Sequence, residues 1–453
     1  MQLPIALLDS LQGIKGFDRE GFESVHTGNE QITSIRINPR KPESHLFNDS
    51  VNIAGNIPWS STGYYLSGRP SFTFDPLFHA GCYYVQEASS MFLEQAIVQH
   101  TDLSKPLRVL DLCASPGGKS THLQSILSSD SLLVSNEVIR SRVNVLRDNI
   151  IKWGGDNVAV TNNDPKDFSG LEQYFDIIVV DAPCSGSGLF RRDPAAIAEW
   201  SENNVQLCSQ RQQRILADVL PALKAGGLLI YSTCSYSAEE DEVICQWLQA
   251  NYPLTVKKML ISPDWGIIES GEGYRFWPDK VKGEGFYLAC FQNNMEGNGV
   301  QLTQKNKQVH LPQKEIQLLE KWIRPSLHHL VKYEQTIYAW PEPLKHDLYW
   351  LANKLRVIYS GVKLGEIMRD KLVPDHALAL SSLVAETVPK VSLCFDDAIK
   401  FLQRKEFTPG EIPKGWQLAA FSGHTLGWMN VLPNRINNYY PKELRILKEF
   451  PSA

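Results

Sequence analysis

One stretch constrains this chain more than any other: Arg108-Val-Leu-Asp-Leu-Cys-Ala-Ser-Pro-Gly-Gly-Lys119. The apolar residues around Asp111 read as a buried strand. Gly117 and Gly118 read as the centre of a tight turn, and Lys119 opens a helical pattern through His122, Leu123, Ile126 and Leu127. Strand, glycine turn and helix is how an α/β sheet presents a ligand beyond the carboxyl end of its first strand. The glycines permit backbone conformations that a Cβ forbids and let a ligand approach the main chain. The same pattern also serves as a plain connection, so the rest of the chain decides what the turn holds.

From Leu107 onward strands and helices alternate, which implies an α/β, Rossmann-like, doubly wound parallel sheet. Strands are expected at Leu132–Glu137, Val158–Thr161, Phe175–Asp181, Leu228–Cys234 and Glu284–Phe291. Helices are expected at Val138–Trp153, Val205–Leu223 and Glu239–Leu248. Before this rhythm lies a small helical start on Ile5, Leu7, Leu8 and Leu11, broken between Gly21 and Gly28. A short strand Ser34–Pro39 follows, then irregular structure over residues 46–80. Gly81 to Phe92 leads into a helix that Ser89 or Ser90 would cap. After it, Gln292–Lys307 is polar and linker-like, residues 310–388 are mixed, and the end carries a helix Phe395–Gln403. Short strands are expected there at Trp416–Phe421, Leu426–Asn430 and near Arg435.

At 453 residues with 43% apolar and 21% charged side chains, the chain supports about three domains with real cores rather than global disorder. Neither a signal peptide nor a membrane span is read from it. The eight cysteines show no paired spacing, which argues against a disulfide framework or a zinc site and fits a reducing cytoplasm, with no bound metal. Net charge is −5, but residues 301–453 hold 21 basic against 15 acidic side chains and residues 1–300 hold 24 against 35. A basic C-terminal third on an acidic body is an electrostatic handle for a polyanion, or a solvated surface with a modest bias.

Four expected strand ends converge. Asp111 to Gly118 follows the first, Glu137 ends the second, Asp164 follows the third and Asp181 ends the fourth. Glu137 stands where an acid accepts hydrogen bonds from ribose hydroxyls, and Asp164 is placed to reach an adenine. Each could instead cap a helix. Two thiols, Cys184 in Asp181-Ala-Pro-Cys-Ser-Gly-Ser-Gly188 and Cys234 in Ser232-Thr-Cys-Ser235, end buried strands in polar turns. There Lys119 or a helix N-terminus would favour thiolate. The remaining cysteines read as inert small hydrophobes.

Cys113-Ala-Ser-Pro-Gly-Gly-Lys119, Asp181 to Gly188 and Ser232-Thr-Cys-Ser-Tyr236 resemble the motifs of the Sun/Nop family of RNA cytosine-C5 methyltransferases. Tyr84-Val-Gln-Glu-Ala-Ser-Ser90 and Gly283-Glu-Gly-Phe-Tyr287 resemble two further family blocks. Gly423-His-Thr-Leu-Gly-Trp428 and Asn438-Tyr-Tyr-Pro-Lys-Glu-Leu-Arg445 are similar to the tail of its bacterial RsmF-type members. The chain departs from the family at Asp279, where histidine is frequent. It also departs at Met429 and Asn430, and near Asn437, where basic residues are frequent.

The resemblance implies an S-adenosyl-L-methionine-dependent methyltransferase domain at 101–293. A 1–100 packing and RNA-binding region precedes it; a linker at 294–309, a connecting domain at 310–388 and a PUA-like RNA-binding module at 389–453 follow. It implies that Cys113, Ala114, Ser115, Pro116, Gly117, Gly118, Lys119, Glu137, Asp164 and Asp181 hold the cofactor. Cys234 would attack C6 of cytosine and Cys184 would assist release, with Lys119 and Asp181 serving the chemistry. The implied substrate is small-subunit (16S) ribosomal RNA, met by a cytoplasmic monomer without membrane contact. Transfer RNA and large-subunit RNA are the alternatives within that activity. A non-catalytic RNA scaffold, a DNA cytosine methyltransferase and a redox disulfide fit the cysteines and acids less well.

Overall fold

The computed structural model describes residues 3–28, 31–41, 51–297, 311–324, 328–407, 410 and 412–450. Its centre is a ten-stranded sheet. The relevant elements are β1 Arg108–Asp111, α1 Gly118–Ile126, β2 Leu132–Asn136, α2 Arg140–Trp153, β3 Val158–Thr161, β4 Phe175–Asp181, α3 Glu202–Val219, β5 Leu223–Thr233 and α4 Glu242–Asn251. They are followed by β6 Leu254–Val256, β7 Ile268–Ser270, β8 Gly273–Phe276, β9 Phe286–Asn293 and, from much later in the chain, β10 Val357–Ser360. The strand order is β7-β8-β9-β5-β4-β1-β2-β3-β10, with β6 on the flank of β9. Strands β1 to β5 run parallel, and β9 returns antiparallel to β5.

The middle of the sheet is the most apolar part of the chain. Ile177, Ile178, Val179 and Val180 of β4 are buried on both faces, as a central parallel strand requires. The order reverses at β1, so β1 and β4 diverge into a crevice at their carboxyl ends. Register then decides which polar residues meet there. Asp111 lies level with Ser135 and Val179, and Asp181 lies level with Ser232.

Several expectations shift. The fifth strand begins at Leu223 rather than Leu228, and the helix before it ends at Val219, where the 3-10 turn Leu220–Ala222 carries Pro221. The register against β4 jumps from Phe175↔Leu223 to Ile177↔Leu228, so Gly226, at φ +73°, sits in a bulge inside the strand. Gly21 lies within a helix, Arg19–Thr27, and breaks nothing. Residues 51–80 are not irregular: Ile53–Asn56 and Gly63–Leu66 pair with each other, and the second pairs with Thr33–Ile37 in a four-stranded sheet completed by Tyr83–Val85. Residues 46–50 lie outside the described residues. Neither Ser89 nor Ser90 caps the helix through its hydroxyl. The Glu87 carboxylate accepts both of their backbone N–H groups instead. Of the linker-like segment, 298–307 lies outside the described residues.

The C-terminal half docks rather than trails. Residues 328–374 form a four-stranded sheet, and β10 beside it extends the central sheet by pairing antiparallel with β3. Arg108 to Asp347 at 2.6 Å and His328 to Asp156 at 2.7 Å tie that unit to the central domain. The last unit holds the helix Phe395–Gln403 and the strands Gly415–Phe421, His424–Leu432 and Arg435–Asn438, close to the sequence reading. Among the described residues, no helix is long and apolar enough to cross a membrane.

Candidate active site

A cleft of about 570 Å³ opens over the carboxyl ends of β1, β2, β4 and β5, and Cys113, Ser115, Glu137, Asp181, Cys184 and Cys234 all line it. The glycine turn forms one wall. Gly117 sits at φ +112°, where a Cβ would also press on Leu146 at 3.3 Å. Side chains of α2 fix the outside of the turn: Arg142 donates to the Ser115 carbonyl at 2.8 Å and Asn149 to the Pro116 carbonyl at 2.8 Å. Ala114 donates its N–H to the Asn136 carbonyl, which joins the turn to β2.

Glu137 is buried to 4% exposure. Its Oε1 accepts the Ile139 N–H at 2.7 Å, and its Oε2 lies 3.8 Å from Arg142. Beside it Val138 and Ile139 are half exposed, an apolar shelf next to a buried acid. An acid for ribose hydroxyls and an apolar ledge for a base suit a nucleoside with a short charged tail. Nothing in the turn repeats the glycine spacing that cradles a pyrophosphate. Asp111 lies beneath, fully buried, with Oδ2 accepting the Ser120 hydroxyl at 2.6 Å and Oδ1 unpartnered among the described residues. Burial pushes its carboxyl up to about 7, with Asp181 and Glu137 adding to the shift and Ser120 and Lys119 opposing it.

Asp164 behaves otherwise. Its carboxylate accepts the Lys166 N–H in a capping box with Asp167 and lies 3.9 Å from Arg214. The cleft wall at this point is Pro165 and Arg214. Cys113 lines the cleft, its thiol pushed up by burial and by the acids Asp111, Asp181 and Glu137. Cys394 is exposed, whereas Cys82, Cys208, Cys245 and Cys290 are buried.

The deep end brings together groups that are far apart in sequence. The Cys184 and Cys234 sulfurs stand 3.1 Å apart as free thiols. The contact with Cys234 and then burial push the Cys184 thiol well above its ordinary value, and either sulfur can be the donor of the pair. Asp181 accepts the Ser232 hydroxyl on Oδ1 at 2.8 Å and pairs with Lys119 through Oδ2 at 2.8 Å. Burial works against the Lys119 charge, but Asp181, Asp111 and Cys234 outweigh it and hold the ammonium above its ordinary range. Lys119 also lies over the Phe286 ring at 5.1 Å, which screens it from solvent.

Sequence reasoning missed the side chains that hold the two thiol loops together. Buried Glu240 accepts the Ser185 N–H at 2.8 Å, the Ser185 hydroxyl at 2.5 Å and the Ser235 hydroxyl at 2.6 Å, with Gln212 donating at 3.3 Å. Next to it Arg275 reaches Asp241 at 3.2 Å and Glu242 at 2.5 Å, all three well buried. The serines flanking the two cysteines were the one available signal. Gly188 and Gly285 explain their motifs sterically. Gly188 donates to the Cys234 carbonyl at 2.8 Å, and a Cβ on it would lie 2.6 Å from the Gly285 carbonyl oxygen.

A doubly wound sheet with a cleft at its reversal point and two thiols in that cleft is the architecture expected of an S-adenosylmethionine-dependent methyltransferase domain. Comparison with known proteins carries this further. Residues 99–292 match the model of the 16S rRNA methyltransferase RsmB/F, 3–88 the N-terminal domain of 16S rRNA methyltransferase RsmF, and 388–446 the RsmF PUA domain. The chain is 30% identical over 434 residues to the ribosomal RNA small subunit methyltransferase F of Shewanella piezotolerans, covering 91% of this chain and 90% of that one. The protein of the same name from Aeromonas salmonicida is also 30% identical, over 435 residues, with the same coverage. Among solved structures, a methyltransferase homologue from Pyrococcus horikoshii superposes with a TM-score of 0.53 at 26% identity, over 64% of this chain and all of that one. The chain belongs to the RsmB/F family of S-adenosylmethionine-dependent rRNA methyltransferases.

Proposed function

We propose that the chain methylates C5 of a cytidine in 16S ribosomal RNA, through a covalent bond between Cys234 and C6 of the base. The observation that carries this reading is the pair of thiols 3.1 Å apart in one cleft with the Lys119–Asp181 ion pair. Cytosine C5 is a weak nucleophile. A thiolate added at C6 makes C5 enamine-like, which divides one hard step into two easier ones. S-adenosylmethionine supplies the electrophilic methyl group. Glu137, Ser115 and the main chain of residues 113–118 would hold it, and the unpaired or flipped-out cytosine would enter from the Cys234 side.

Cys234, the thiol of the Thr233-Cys234 pair, is the nucleophile, as the Sun/Nop resemblance implies. Lys119 is close enough to stabilise its thiolate, and Cys184 stands 3.1 Å away to exchange a proton with it. Asp181, held by Ser232 and Lys119, presents a carboxylate to the amino edge of the base. After methyl transfer Cys184 relays the C5 proton to solvent, the C5–H electrons restore the C5–C6 double bond, and the Cys234–C6 bond breaks with its electrons returning to the Cys234 sulfur as thiolate. Asp164, which caps the 3-10 turn at the cleft wall, reaches the adenine side of the cofactor. The PUA domain and the 1–100 region bind RNA outside the cleft, and the protein acts as a cytoplasmic monomer.

Bisulfite sequencing of ribosomal RNA from a deletion strain and its parent tests the reaction and the target together. One 16S cytidine protected in the parent and converted in the deletion strain is expected. An unchanged 16S pattern, or a change confined to transfer RNA or 23S RNA, overturns the assignment.

A further inference from the structure

A second cavity, of about 320 Å³, lies between the N-terminal sheet and the loop that leaves Cys184, with Arg69, Arg191, Arg192, Glu87 and Glu284 in its walls. It joins the active site through main chain. Gly188 donates to the Cys234 carbonyl, Gly285 donates to the Gly188 carbonyl at 3.1 Å, and Arg191 donates to the Gly283 carbonyl at 3.4 Å. Arg191, Arg192 and Glu284 are thus set on the two segments that meet beside the nucleophile, and Arg69 faces them from the N-terminal region.

The two carboxylates of the cavity are differently employed. Glu87 is consumed by structure, since its oxygens accept the N–H groups of Ser89, Ser90 and Glu284 at 2.8 Å each. Glu284 is not. Its side chain is nine-tenths buried, its Oε2 accepts no hydrogen bond among the described residues, and the Arg191 guanidinium lies 3.9 Å away. A buried acceptor left open in a polar cavity marks a place for a donor. Arg69 and Arg192 are exposed at the same cavity, and neither joins an ion pair among the described residues.

We infer that this cavity binds the nucleotide flanking the target cytidine. Arg69 and Arg192 take its phosphate, and Glu284 Oε2 accepts from an amino group on its base edge. The chemistry suits this occupant: guanidinium groups match phosphate oxygens, and a carboxylate accepts from the exocyclic amino groups of cytosine, adenine or guanine. A flipped-out target needs its neighbour held at a fixed distance, and the shared main chain of residues 188 and 285 provides that. The inference rests on the proposed RNA reaction.

The test uses the full chain and an unmethylated 16S rRNA transcript, with tritiated methyl donor, comparing wild type with Arg69→Ala, Arg192→Ala and Glu284→Gln. Each variant is expected to raise KM for the transcript roughly fivefold or more while kcat changes about twofold or less, the pattern of lost substrate binding. Each arginine variant should also flatten the salt dependence of RNA affinity by about 0.7 in log–log slope, as expected for one contact to a single-stranded phosphate. Glu284→Gln should leave that slope intact. Active wild type with unchanged KM and slope in all three variants overturns the inference. If wild type transfers no methyl group to the transcript, the proposed reaction fails instead. Filter binding of the same RNA then decides the subsite: slopes equal to wild type in both arginine variants overturn it.

Discussion

The two ends of the cleft are built on different principles. The cofactor end comes from two successive strand–helix units, residues 108–126 and 132–153, and its holding contacts run between those two units alone. The thiol end takes Lys119 from α1, Asp181 and Cys184 from the end of β4 and Cys234 from the end of β5. Its scaffold of Glu240, Gln212, Arg275 and Asp241 is drawn from still other elements. The first is a cradle made by two neighbouring units; the second is a buried polar network whose hydrogen bonds join residues 5 to 55 apart on several elements. Networks of that kind lose more when one member is removed, because every partner left behind is an unsatisfied buried group. A change at the cofactor end should therefore weaken one ligand, and a change at the thiol end should disable the reaction or loosen the fold.

The largest effect expected is at Cys234. Cys234→Ala should lower methyl transfer to rRNA by roughly a thousandfold or more, about 4 kcal/mol, while calorimetric binding of S-adenosylmethionine stays within about twofold. Equal loss of both would erase the distinction between the two ends. Next comes Glu240→Ala, which strands the Ser185 N–H and the Ser185 and Ser235 hydroxyls. It should cost roughly 3 kcal/mol in urea unfolding and reduce turnover even at temperatures where the variant is folded.

Asp111 gives a pH-dependent prediction with a definite sign. Its folded pKa of about 7 lies above the ordinary 3.8, so the stability this carboxyl contributes is complete below pH 3.8 and is lost as pH rises through 7. Asp111→Asn should remove that loss. Relative to wild type the variant should gain about 3 kcal/mol between pH 5 and pH 8 in denaturant unfolding, and a constant difference across that range would contradict it. The smallest effect belongs to the cofactor end. Glu137→Ala should weaken S-adenosylmethionine binding about tenfold, near 1.4 kcal/mol, and leave maximal turnover at saturating cofactor close to wild type.

The same contrast explains what could be read in the sequence. The turn at 113–119, the acid 20 residues after Gly117 and the four central strands are local patterns, and the structure keeps them with ends moved by a few residues. Both cysteines were legible because each ends an apolar run in a polar turn, although their 3.1 Å separation depends on β4 and β5 being neighbours. Glu240 and Arg275 carry no local signature. Their role appears only when the register of β5 and β9 brings Ser185, Ser235 and Tyr236 to them. The N-terminal sheet stayed hidden because Ile53–Asn56 is a short edge strand containing Gly55, with little period to detect. Asp164 stands in the expected place, where its Oδ1 caps its own turn and its Oδ2 lies 3.9 Å from Arg214 of the cleft wall.

The central claim is that Cys234, and not Cys184, forms the bond to the base. It is tested most directly by incubating the protein with methyl donor and RNA carrying 5-fluorocytosine, then mapping the trapped adduct by peptide mass spectrometry. Fluorine at C5 blocks the elimination that frees the enzyme, so the nucleophile stays attached. The account predicts RNA attached to the peptide containing Cys234, abolished by Cys234→Ala and retained in Cys184→Ala. An adduct on Cys184, or none with an rRNA that the protein methylates, would contradict it.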